Sequence, residues 1–168
     1  MIQKIGSLGR SGGPLLVDRI ITNSVTIAVG DSVKTASGFA ALGTTGARVL
    51  GHVESLIGKD GLTPVKDGTY LGNIGEAYTV ESDNQTDKEI RARVDVDTAS
   101  LYSAELDAAV GTTSGSNLAG KTFDLVDEDT LDESTVAETT AQYYSHGLDI
   151  NETTRVVVNV LESEVFGF

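Results

Sequence analysis

The chain has no cysteine, no tryptophan, two prolines and two histidines in 168 residues. Each scarcity excludes something. Without cysteine there is no disulfide and no thiolate metal site, so stability must come from burial or association. With so little proline, turns depend on the 19 glycines and their access to positive φ. Two histidines, with no H-x-x-x-H or H-E-x-x-H spacing, do not make a zinc site. No apolar run approaches the roughly 20 residues of a membrane helix, and Met1–Gly9 lacks the apolar region of a signal peptide, so no membrane partner is expected. Basic residues are few as well. Twelve Lys and Arg face 25 Asp and Glu, a net charge of −13 that repels phosphate and disfavours nucleic acid as a partner.

What the chain does have is β-branched side chains and an uneven charge. Val and Thr number 37, against nine Phe and Tyr. Such residues pack well on a pleated surface and lose rotamer freedom in helices, so the expected class is all-β. Residues 1–70 carry a net charge of +2 and residues 71–168 a net of −15. Like charges repel in a compact state, so this imbalance is a property of surfaces: one part approaches a partner, the other stays solvated.

Three parts are expected. Residues 1–14 read as an extended arm, because Gly6, Gly9, Gly12, Gly13 and Pro14 oppose regular structure while Ile2, Ile5 and Leu8 remain apolar. Residues 15–82 read as a small barrel or sandwich of strands separated by glycine turns, with a bulge at Gly51 in a strand over 47–57. Lys59-Asp-Gly61 and Lys66-Asp-Gly68 read as hairpin turns. The polar run Ser82–Asp87 marks the boundary, and residues 88–168 form a second, acidic β-rich part.

In that second part, Ile90, Ala92, Val94 and Val96 alternate with Arg91, Arg93, Asp95 and Asp97, the period of a half-buried strand with a charged wet face. Residues 100–110 fit either a strand or a short helix, and the β surroundings favour strand. Val156-Val157-Val158 suggests burial on both faces.

The search for chemistry gives little. Gly9-Arg-Ser-Gly-Gly13 matches G-x-S-x-G, but a nucleophile elbow needs a strand before the serine and a helix after it, and here Pro14 follows a glycine arm. Asp127, Glu128, Asp129, Asp132 and Glu133 could attract Ca²⁺, yet the D-x-[DN]-x-[DN]-G loop is absent and a solvated acidic loop is the plainer reading. No catalytic residue, metal ligand or cofactor is assigned, and the chain is not expected to be an enzyme. A hydrolase assembled in space from Ser11, His52 and His146 ranks last. A carbohydrate-binding or adhesin-like module ranks second. It needs an aromatic platform, for which Tyr70, Tyr78 and Tyr143-Tyr144 are the candidates.

The stretch Val25-Thr-Ile-Ala-Val-Gly-Asp-Ser-Val-Lys34, then Gly38-Phe39, then Ala47-Arg-Val-Leu-Gly-His-Val-Glu-Ser55 resembles the opening domain of small head proteins that decorate capsids of tailed bacteriophages. The later segments Val94–Thr98, Gly111–Gly120, Phe123–Asp127 and Asn159-Val160 are similar to phage structural proteins. His52 departs from the pattern, which usually has a small apolar residue there. The resemblance implies a non-enzymatic structural protein on the virion exterior, made in the host cytoplasm. It implies binding to the major capsid protein lattice as a homo-oligomer, with a trimer favoured. Ile2, Ile5, Leu8, Arg10 and Leu15 are then the candidate interface residues of the arm. The near-neutral part docks and the acidic part faces outward.

Overall fold

The structure is a computed structural model that describes residues 2–8, 15–62, 65–66, 69–70, 75, 77–110, 118–134, 141–149, 152 and 154–161. It is all-β, as the composition suggests. Its strands are β1 (Gln3–Ser7), β2 (Leu16–Ile20), β3 (Thr26–Ala28), β4 (Ser32–Ala36), β5 (Phe39–Leu42), β6 (Gly51–Ile57), β7 (Val65–Lys66), β8 (Thr69–Tyr70), β9 (Ala77–Thr79), β10 (Arg91–Asp95), β11 (Ser100–Leu106), β12 (Thr122–Phe123), β13 (Thr130–Leu131), β14 (Tyr143–Leu148) and β15 (Arg155–Val160).

The first sheet runs β2-β10-β6-β4-β5. It curls back on itself. Ile21, just after β2, bridges Ala40 of β5, and both the amide and the hydroxyl of Thr22 donate to the Ala40 carbonyl. This closure makes the small barrel expected from the glycine-punctuated strands, with Ile21, Val33, Ala40, Val53, Leu56 and Val94 inside. The β4–β5 hairpin turns on Ser37 and Gly38, with φ of 51° and 88°. Two successive positive φ values are those of a type I′ turn, whose twist suits the flanking strands. The β3–β9 ribbon flanks the barrel, and β7 pairs antiparallel with β8; the Asp67-Gly68 turn expected between them lies outside the described residues.

The second sheet runs β1-β11-β15-β14-β12, with β13 parallel to the end of β11. Tyr102, Phe123, Leu125, Leu131, Tyr143 and Val158 fill its core. Residues 100–106 are strand, the favoured reading of the ambiguous segment. Val156, Val158 and Val160 are buried, whereas Val157 is only half-buried. The triple valine therefore lines one interior face rather than two.

Several boundaries differ from those expected. The strand over 91–95 does not belong with the C-terminal strands. It pairs with β2 on one side and β6 on the other, because its apolar face completes the barrel core. The first half of the expected arm is likewise a strand, β1, paired with β11 across Gln3–Ser7. Glycine alone did not prevent pairing there, because Ile2 gains a buried place and Lys4 a buried partner. Residues 9–14 lie outside the described residues.

The bulge in β6 sits at Glu54, where the partners jump from Arg93↔Ser55 to Val94↔Val53. Gly51 serves a different purpose. A Cβ there would stand 2.0 Å from the Asp95 carbonyl oxygen, so only glycine lets the two strands pass.

The two sheets are joined by polar contacts. Ser32 donates its amide to the Glu128 carbonyl, Thr45 its hydroxyl to the Leu125 carbonyl, and Gly46 its amide to Asp124 Oδ1. The buried Gln142 side chain donates to the Thr44 and Ala47 carbonyls and accepts from the Leu125 amide.

The polar run 82–87 is pinned rather than loose. It leads into a π-helical turn over Asn84–Lys88. Asn84 is fully buried. Its Nδ2 donates to the carbonyls of Ile21 and Ile90, and its Oδ1 accepts the Ile90 amide, tying the end of β2 to the start of β10. Asn84→Ala would leave the Ile21 carbonyl and the Ile90 amide without their partner, while the Ile90 carbonyl keeps the Ile21 amide. We expect it to lower the unfolding free energy by about 2–3 kcal/mol in urea titrations, whereas Gln85→Ala, which keeps its amide bond to Asn23, should change little.

Candidate interface around the N-terminal strand

β1 lies at the edge of the second sheet, and no described strand pairs with its outer side. Its alternation sends Lys4 inward, and the register shift between Lys4 and Gly6 makes Ile5 an extra residue with its side chain outside. Ile2 is 1% exposed and sits in the core of the second sheet, so it cannot touch a partner. Arg10, like Ser11, is outside the described residues. Ile5, Leu8 and Leu15 are 49%, 49% and 48% exposed, and Leu16, which sequence reasoning did not single out, joins them at 39%.

The backbones of Leu8 and Leu15 are tied to one link. The Leu8 amide donates to the Ala99 carbonyl, and the Val96 amide donates to the Leu15 carbonyl. Both approaches to the 9–14 segment are thus fixed to residues 96–99, where the chain crosses from barrel to second sheet. Large apolar side chains left in water on either side of such a link are candidates for an interaction surface.

What holds β1 is Asp95. Its alternation with Val94 and Val96 pointed it to solvent, yet it is 1% exposed. The side of β10 that faces away from the barrel core is covered at this end by the second sheet. Asp95 Oδ2 accepts the Lys4 ammonium at 2.6 Å, the Ser100 hydroxyl at 2.7 Å and the Tyr102 hydroxyl at 2.9 Å, while Oδ1 accepts the Asp97 amide at 2.9 Å. Burial pushes the Asp95 carboxyl up, but these donors outweigh it and its pKa lies below the usual value. Burial likewise pulls Lys4 down, and Asp95 with Glu54 (3.3 Å away) outweighs that, so Lys4 titrates above its ordinary value. Burial drives the Tyr102 hydroxyl up, which keeps it a donor. Farther along β10 the charged ladder behaves as expected: Arg93 holds Asp18 of β2 through two bonds of 2.9 and 3.1 Å.

A second polar cluster lies between the sheets. Ser32 Oγ is 2.8 Å from the Tyr143 hydroxyl and 3.4 Å from His52 Nδ1, and the Tyr143 hydroxyl is 3.3 Å from His52 Nε2. The His52 ring also packs against Tyr102, tilted by 45° with the ring centres 4.1 Å apart. By residue type a serine beside a histidine suggests a nucleophile and its base. By position it does not, since Ser32 and Tyr143 are fully buried and a nucleophile must reach its substrate. The unusual His52 is therefore a bridging core residue. His146 is elsewhere, on the surface, 2.8 Å from Asn159 Oδ1.

The acidic loop is partly folded in. Asp127 Oδ1 accepts the Asp129 amide, Asp132 Oδ1 accepts the Ser134 amide, and Glu133 is 1% exposed. No three described carboxylates or histidines are gathered so as to hold a metal ion.

Two predictions follow from these clusters. Lys4→Ala leaves the Asp95 charge buried without its cation. Allowing for the partial exposure of Lys4, it should lower stability by about 2 kcal/mol in urea unfolding. The second concerns pH. Burial holds His52 down at about 4, so only the unfolded chain takes its proton between pH 6.5 and 4, and stability falls as pH drops through that window. Burial, with Glu128 and Asp129 nearby, raises Asp31 to about 7 despite its bond from the Ala28 amide. Between about pH 4 and 7 the native state then binds the extra proton, and stability falls as pH rises. The two effects oppose each other at roughly 3 kcal/mol each. Asp31→Asn removes one of them, so its stability relative to the parent should climb by about 3 kcal/mol from pH 4 to pH 7; a flat difference would show that Asp31 ionises freely in the fold.

Set against family models, curated proteins and solved structures, the chain matches none of them.

Proposed function

We propose that this chain is a non-enzymatic structural protein that binds the outer surface of an assembled tailed-phage capsid and stabilises it. The observation that carries the reading is the apolar group Ile5, Leu8, Leu15 and Leu16, exposed beside the open edge of β1. An open edge can accept a strand from a neighbour, with main-chain hydrogen bonds for affinity and side-chain pockets for specificity. The residues that position it, Lys4 and Asp95, also hold the strand in place before docking, which lowers the entropic penalty of binding. On a lattice, many modest contacts of this kind add up through multivalency. The sequence resemblance points the same way, as does the net charge of −15 over residues 71–168, which suits a solvated outer face. The partner is then the major capsid protein lattice, the place the virion exterior, and the solution state a homo-oligomer, with a trimer favoured.

A carbohydrate-binding module finds less support. Of its candidate platform, Tyr143 is fully buried and Tyr78 half-buried, and Tyr144, at 38% exposed, packs its edge against His146.

The test is co-sedimentation with purified shells. The double variant Ile5→Asp, Leu8→Asp replaces two side chains that contribute little to the core and should keep its fold by circular dichroism. Its occupancy should fall at least tenfold, and shells carrying it should lose heat resistance relative to shells carrying the parent. Unchanged occupancy would remove this surface from the interface.

A further inference from the structure

The outer face of the second sheet carries apolar side chains at one end. Tyr102, Val158 and Val160 point into the core, so the period of two turns their neighbours Leu101 and Leu161 outward. Both are half-buried. Tyr144, opposite Asn159, stands on the same face at 38% exposed. On β1, Ser7 lies opposite the inward Ser100, and Leu8, the next residue, is 49% exposed with its amide on the Ala99 carbonyl.

The β11–β15 ladder sets Tyr102 against Val158, so carried on it sets Leu101 beside Asn159 and Ala99 beside Leu161. Asn159 Nδ2 donates to the Thr98 carbonyl at 3.1 Å, which holds the end of β15 against the 96–99 link. Leu8, Ala99 and Leu161 therefore form a row across the sheet. Two strand spacings, about 10 Å, separate Leu8 from Leu161.

From Leu161 the sequence runs on as Glu162-Ser-Glu-Val-Phe-Gly-Phe168, outside the described residues. The protein has four phenylalanines, and two of them are Phe166 and Phe168. The other two are covered, Phe123 fully and Phe39 by half. Phenylalanines two apart share one face of an extended segment, and their area gains most from an apolar surface nearby. Four extended residues span about 13 Å, so Val165 and Phe166 reach as far as Leu8.

We propose that residues 162–168 fold over the outer face of their own sheet, with Val165, Phe166 and Phe168 covering Leu101 and Leu8. The tether at Leu161 holds the segment at a roughly millimolar effective concentration, which favours its own sheet over a neighbour's. The contact needs no capsid and can fail while the capsid reading stands. Where both hold, the shell displaces the segment from Leu8.

The test follows ¹H–¹⁵N spectra and backbone order parameters of the full chain. Residues 165–168 should have order parameters above about 0.6, and lower values there would overturn the proposal. The double variant Phe166→Ser, Phe168→Ser should move the amides of Leu8, Ala99, Leu101 and Leu161 and leave those of Ile27 and Val53, in the barrel, in place. Leu8→Ser, which alters a side chain half in water, should keep the far-ultraviolet circular dichroism and lower the order parameters at 165–168. Unchanged order in that variant, or unmoved amides at Leu8 and Leu101 in the double variant, would overturn the proposal. Finally, a ¹⁵N-labelled chain stopped after Leu161 is mixed with unlabelled parent. It should keep its own spectrum. Parent-like shifts at Leu101 in the mixture would mean that a second copy's segment covers this face, and would overturn the assignment to the same chain.

Discussion

One buried carboxylate sets the architecture. Asp95 lies where the barrel meets the second sheet, and an unpaired charge there would be strongly destabilising. Its donors come from three places in sequence: Lys4 from the N-terminal strand, Ser100 and Tyr102 from β11, and the amide of Asp97 from the link between the sheets. Satisfying Asp95 therefore requires β10, the 96–99 crossing and β1 to be in place at the same time. A purely apolar contact would tolerate sliding. This one does not, and it registers the barrel against the second sheet.

Much of the fold was legible because local pattern and burial agreed. The alternation at 90–97 gave both the strand and its core face, and Arg93 found the charged neighbour that such a ladder calls for. The glycine-punctuated strands of residues 15–57 gave the barrel. Legibility failed where a residue's role depended on distant chain. Asp95 obeys the period of its own strand, and its burial comes from a sheet formed by residues up to 65 positions downstream. Asn84 looked like linker because asparagine is a turn former, and nothing local says that its amide reaches the carbonyl of Ile21. Glycine spacing at the N-terminus argued for an arm, but one Ile and one Lys with buried destinations outweighed it.

The candidate surface was partly legible for the same reason. Ile5 and Leu8 stand out because apolar residues among glycines have no local use, and Leu15 because it follows them at the end of the glycine segment. Ile2 has the same local signature and the opposite fate, since only the partner strand decides which residue of β1 turns inward. Leu16 was missed because it opens a good strand, where an apolar residue needs no explanation. The Ser32–His52–Tyr143 cluster could not have been found by spacing, as its members stand 20 and 91 positions apart. It shows how polar groups close the seam between the two sheets without any of them reaching solvent.

The register shifts in this molecule share a geometry. Ile5 in β1, Glu54 in β6 and His146 in β14 are each the extra residue of a bulge, and the partner strand continues undisturbed beneath them. A side chain placed this way belongs to the surface without being counted in the ladder that supports it. Exchanges at Ile5 and His146 can thus alter what the protein touches while leaving intact what it is built from, so that recognition and architecture are free to drift at different rates over a lineage.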